Sequence, residues 1–295
     1  MTTQNFDNPF RRLKVRNLIL RCFLLIFGLS FALGFVQGFS SFKLNNQVAP
    51  LILYIFIFGL LCLWELADFK RLGINLKYVV GSVPNNHRCL PLVGLVMLVI
   101  LFSLSAYLVS FYLLSLVAPA FVEGIIRQVA TNPSPKGSEP LVYQLLGGMV
   151  YVVIGPIAEE FIFRGIILQS WAAKWGVRSA LVVSSLLFGI LHANILGLSL
   201  FGLIMGVLYI KTRTLIVPIA CHALNNLTAV TMGLLSNDSN TTSVAESLEQ
   251  LRSSWGLGVL LMLISLPLLV RFLFQNWPRQ DAAVPYTINA YQGER

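Results

Sequence analysis

Long apolar runs separated by short polar breaks occupy most of this chain. A helix crossing the hydrocarbon core of a bilayer needs roughly 20 mainly apolar residues. Eight runs have that character, at about 19–39, 49–67, 91–119, 141–173, 178–195, 197–210, 214–235 and 255–274. The third and fourth exceed what one straight span requires. The fourth also contains Gly155-Pro156, which predicts a kink or break, because proline removes an N–H from the helical ladder and crowds the preceding turn. The pattern predicts an all-α, polytopic transmembrane helical bundle of about eight spans.

The polar breaks carry an orientation signal. With the N-terminus inside, only Lys43, Arg127, Lys136 and Arg252 of the 21 Lys and Arg residues fall in outer segments, and only Arg164 is left inside the membrane. Cytoplasmic loops hold the excess of Lys and Arg, so both termini are expected in the cytoplasm, as in a bacterial plasma (inner) membrane. Composition agrees: 56% hydrophobic and 11% charged residues exclude an ordinary soluble domain, where about 25% are charged. The net charge of +9 reads as orientation plus attraction to anionic membrane lipids. Nucleic acid is not an expected partner, because the basic residues scatter over several short loops.

The first run follows a basic segment, but it is longer than a signal-peptide core and no A-x-A site follows, so it reads as a retained anchor. The segment NPSPKGSEP, 132–140, is an outer loop between an N-terminal three-span region, 1–131, and a C-terminal membrane region, 141–275. A second polar loop, 236–254, is expected to hold a short interfacial helix, since Ser243 and Glu246 have capping-box spacing. It also carries two weak sequons, at Asn237 and Asn240. The tail, 276–295, is polar and expected to be poorly ordered. Cys22, Cys62, Cys89 and Cys221 lack C-x-x-C spacing and read as packing residues.

Ionisable groups at membrane depth are candidate functional groups because the bilayer makes them costly. The C-terminal region holds five: Glu159, Glu160, Arg164, His192 and His222. On a helix Glu160 and Arg164 are i and i+4, where an ion pair forms. Glu159 points about 100° away and has no local partner. Phe188 and His192 share one face, as do His222 and Asn226. Counting from the expected helix ends at ~1.5 Å per residue, Glu159, His192 and His222 can meet near mid-membrane. A buried carboxylate suits a general base acting on water. Imidazoles and an asparagine amide suit a metal site or an oxyanion. Such a set would hydrolyse an amide bond. Each histidine also has a bland reading as an interhelical hydrogen-bond partner, and Phe188 as core.

EEFIFR (159–164), FGILH (188–192) and HALNN (222–226) resemble the E-E-x-x-x-R, F-x-x-x-H and H-x-x-x-N motifs of the CPBP family, also called Abi. That family includes type II CAAX prenyl endopeptidases and bacteriocin-processing or self-immunity proteins. The resemblance covers roughly 140–235 and implies a helical intramembrane endopeptidase. It implies that Glu159 activates water with help from His192, that His222 and Asn226 stabilise the oxyanion, and that Glu160 and Arg164 hold the site together. A competing account of the family, as a metalloprotease, makes the glutamates and histidines ligands of a divalent metal. Glu159, His192 and His222 could hold zinc with an open fourth position, and both accounts stay open at this stage.

The implied substrate is a peptide or membrane protein, with or without a prenyl group. H-E-x-x-H and G-x-S-G are absent, as is an aspartate in any predicted span, so other intramembrane protease classes lack their signatures. A non-catalytic scaffold or immunity protein of the same fold is the alternative. A proton-coupled transporter is another, but it should show a repeated span pattern, which the chain lacks.

Overall fold

The computed structural model describes residues 8–40, 44–45, 47–82, 89–130, 140–235 and 244–293. They form twelve α-helical elements: α1 (Val15–Phe39), α2 (Val48–Leu72), α3 (Leu76–Val80), α4 (Cys89–Val117), α5 (Pro119–Ala130), α6 (Leu141–Trp175), α7 (Val177–Ile190), α8 (Ile195–Thr212), α9 (Ile216–Leu235), α10 (Val244–Ser253), α11 (Trp255–Asn276) and α12 (Pro285–Gly293). No strand occurs among the described residues. The class is all-α, and the chain is an integral membrane protein.

Six of these helices, α1, α2, α4, α6, α8 and α11, are long and apolar enough to cross a membrane. The other two expected spans are helical but differ in kind. The run 178–195 yields only the 14-residue α7. It stops because Asn194 caps α8, its side chain accepting from the Gly197 N–H at 3.1 Å. The same amide donates to the Ser103 carbonyl at 2.7 Å and to the Ser103 hydroxyl at 3.0 Å, halfway along the 29-residue α4. The α7–α8 hairpin therefore turns at the level of the middle of α4. The run 214–235 yields the 20-residue α9, whose apolar character is broken by His222, Asn225, Asn226 and Thr228.

The segments assigned to the inside meet at one end of the bundle. Lys174 donates to the Leu13 carbonyl, Arg178 to that of Pro278, and Arg11 to that of Ala173. Asn289 donates to the carbonyls of Tyr78 and Arg213. At the opposite end Arg252, near the end of α10, donates to the hydroxyl and carbonyl of Ser115 on α4. The tail corrects an expectation. Its polar composition hides residues that bury well, so part of it folds as α12, with Pro285, Tyr286 and Ala290 buried and the Tyr286 ring edge-on to Phe10 at 5.1 Å.

Helix α10 lies where the second polar loop was expected to be helical. Ser243, Asn237, Asn240 and the outer-loop residues 132–139 lie outside the described residues.

Candidate active site

The C-terminal region is organised by α6. Of the kink or break expected at Gly155-Pro156, the break does not occur; α6 is continuous from Leu141 to Trp175. Instead the ladder widens, with π-helical turns at Val150–Ile154 and Phe161–Leu168 flanking Gly155–Glu160. The Gly155 N–H bonds to the Val150 carbonyl, five residues back, so the helix opens before the proline instead of clashing with it. Such turns are rare and collect at functional sites. Here they lie on either side of the two adjacent glutamates.

Glu160 faces the protein core. Its Oε1 accepts from Arg164 Nη1 at 2.8 Å and lies 2.8 Å from His222 Nδ1 on α9. A carboxylate oxygen paired with a guanidinium accepts, so His222 donates from Nδ1. Arg164 Nη2 donates to the Gly202 carbonyl on α8 at 2.9 Å, and its guanidinium lies 4.9 Å from the Phe188 ring centroid on α7. Four helices are thereby tied to one buried ion pair, as the i, i+4 spacing anticipated. Glu160 Oε2 is buried with no hydrogen-bond partner.

Glu159 faces the other way, toward α2. Its Oε1 accepts from the Tyr54 hydroxyl at 2.7 Å. Its Oε2 looks across 3.9 Å to His222 Nε2. The side chain keeps 18% exposure, against 0% for Glu160, so only Glu159 is open to a small molecule. Sequence reasoning left this carboxylate without a partner and missed Tyr54. The one available signal was depth, since Tyr54 and Glu159 lie ~27 and ~24 Å from the helix ends expected to face the cytoplasm.

The remaining candidates are placed less directly. His192 lies in the turn after α7, and its Nδ1 donates to the Phe188 carbonyl at 2.6 Å. It meets His222 only through the Phe188 ring, whose centroid is 4.6 Å from one imidazole and 6.0 Å from the other. Phe188 is fully buried and also packs on Phe163 and Phe201. Asn226 lies one turn along α9 from His222 and donates to the Tyr151 carbonyl at 2.9 Å, in the first π turn of α6. Asn225 donates to the Asn226 side-chain oxygen at 3.1 Å. Asn226 thus keeps one amide N–H uncommitted.

The donor set does not fit a metal site as arranged. Among the described residues no three or more His, Cys, Asp or Glu side chains gather to hold a metal ion. Glu159 and His222 approach each other, but one atom of each is engaged by Tyr54 or Glu160, and His192 stands apart.

A family model described as Type II CAAX prenyl endopeptidase Rce1-like matches residues 141–228. Over 89 residues the chain is 38% identical to a Bacillus subtilis (strain 168) protein named "Putative membrane peptidase YdiL". That stretch is 29% of this chain and 36% of the relative, so the match spans about a third of the relative's length. No solved structure matches the chain. The family match begins at the first residue of α6 and ends on α9, so it contains all three motifs and leaves α1 to α5 outside. Over that region the chain is similar to the CPBP family, whose three motifs gather here around one buried ion pair.

Proposed function

We propose that this protein is an intramembrane endopeptidase with Glu159 as its general base. The observation that carries the reading is the 3.9 Å gap between Glu159 Oε2 and His222 Nε2, where the partly exposed carboxylate faces an imidazole of the motif set. A water held there gives its proton to Glu159 Oε2, and its oxygen bonds to the carbonyl carbon of a peptide. The displaced carbonyl electrons form an oxyanion, for which protonated His222 Nε2 and the free N–H of Asn226 are the donors. Collapse of that intermediate breaks the C–N bond, and the proton on Glu159 passes to the departing amine. Glu160 and Arg164 fix the His222 ring. His192, through Phe188, lines the site.

The substrate is a peptide segment presented at membrane depth, with or without a prenyl group. The test is cleavage of a peptide library, farnesylated and plain, by the protein in detergent. Glu159→Gln is expected to lower turnover about 10²–10⁴-fold, the range of general acid–base contributions. Equal turnover in both proteins sinks the glutamate mechanism. No turnover in either moves the fold to the scaffold or immunity reading. A chelator arm tests the metal account of the family: unchanged turnover supports the metal-free route, and loss restored by zinc overturns it.

A further inference from the structure

The family match covers residues 141–228, yet the proposed base is held from outside that segment. Tyr54 on α2 donates to Glu159 Oε1 at 2.7 Å. Its ring is stacked on Phe58, one turn along α2, with centroids 4.3 Å apart, so the phenol has little freedom to swing away. It packs with Tyr151 and Ile154 around buried Val150, all in the first π turn of α6. Gly155 completes the seat. A Cβ there would lie 3.2 Å from the Tyr54 hydroxyl and 3.1 Å from the Val150 carbonyl, so only glycine lets the two helices close to this distance without one giving way.

We propose that Tyr54 is a positioning residue for Glu159. By occupying Oε1 it fixes the plane of the carboxylate and leaves Oε2, the oxygen facing His222, to receive the proton from water. The N-terminal helices are then part of the catalytic apparatus and not only an anchor. The proposal rests on the protease reading above, and its test separates the two.

Tyr54→Phe removes one hydroxyl and keeps the stacked ring. Misplacing a reacting group by about 1 Å can cost a hundredfold in rate, so kcat is expected to fall about ten- to a hundredfold while KM stays within about twofold and the unfolding midpoint in detergent is unchanged. Gly155→Ala, which displaces the hydroxyl without removing it, is expected to shift kcat in the same direction. In a Glu159→Gln background Tyr54→Phe is expected to add nothing, because the group it positions is no longer a base. Wild-type kcat in Tyr54→Phe overturns the proposal alone, provided that Glu159→Gln is inactive. Equal losses from Tyr54→Phe in both backgrounds, or a lowered midpoint, show a merely structural role and overturn it too. Activity that survives Glu159→Gln, or no turnover by the wild type, removes the protease reading and this proposal with it.

Discussion

Helices α1 and α8 are both apolar, and α1 is the more apolar of the two. Yet none of the most apolar stretch of α1 is buried, against 56% of that of α8. Their glycines show the same contrast. A Cβ on Gly28, Gly34 or Gly38 of α1 would meet nothing within 4 Å. One on Gly202 of α8 would lie 3.2 Å from the Ser185 backbone, and one on Gly206 would collide with the Leu181 side chain. Phe23, Phe27, Phe31 and Phe35 of α1 point outward, and the helix is tied to α2 by Arg21, which bonds Glu65 and Asp68 at 2.7 Å each. Lipid is as apolar as leucine, so apolarity does not draw helices together inside a bilayer. Close backbone approach and buried polar pairs do, as at the α7–α8 crossing and around Glu160.

The largest effect should come from breaking the polar centre. Glu160→Ala leaves the Arg164 guanidinium buried without its carboxylate and removes the acceptor of His222. Loss of one partner of a buried pair costs about 3–5 kcal/mol, so the variant is expected to unfold well below the wild-type temperature in a detergent melt. Replacing both partners, as Glu160→Leu with Arg164→Leu, should cost less than Glu160→Ala alone. The opposite ranking would mean that an unpaired buried Arg164 is not what destabilises Glu160→Ala.

Glycine substitutions sharpen the comparison directly. Gly206→Leu overpacks the α7–α8 crossing and should cost about 1–3 kcal/mol. Gly34→Leu adds its side chain to open space and should stay within about 0.5 kcal/mol. Similar losses in the two would show that α1 is packed against something. Asn194→Ala is expected to cost about 1 kcal/mol for a lost helix cap, more than Gly34→Leu, read as faster amide exchange at the start of α8. Unaltered exchange would show that the Ser103 contacts do not hold the turn.

Much of the site could be read along the chain because its spacing is local. The Glu160–Arg164 pair follows from i, i+4 geometry, and the divergence of Glu159 from the turn per residue. Phe188 and His192 are likewise linked through one helical turn. The contacts that give each group its surroundings are between helices and left no such trace: Tyr54 to Glu159, His222 to Glu160, Arg164 to Gly202, Asn226 to Tyr151. Of the kink or break expected in α6, the break is absent for a related reason. Proline forbids an ordinary α-turn, but a five-residue π turn satisfies the same backbone, and the close approach of Tyr54 to Gly155 accompanies it.

The sequence by itself determined the helical class and the membrane setting, since those follow from run length and hydropathy. It also marked the three motifs. Only the tertiary structure decided which glutamate is exposed and which is sealed, that the α7–α8 hairpin turns beside Ser103, that the polar tail folds back as α12, and that α2 reaches the site. Each of these depends on which helix faces which, and lipid leaves the apolar pattern almost silent on that choice.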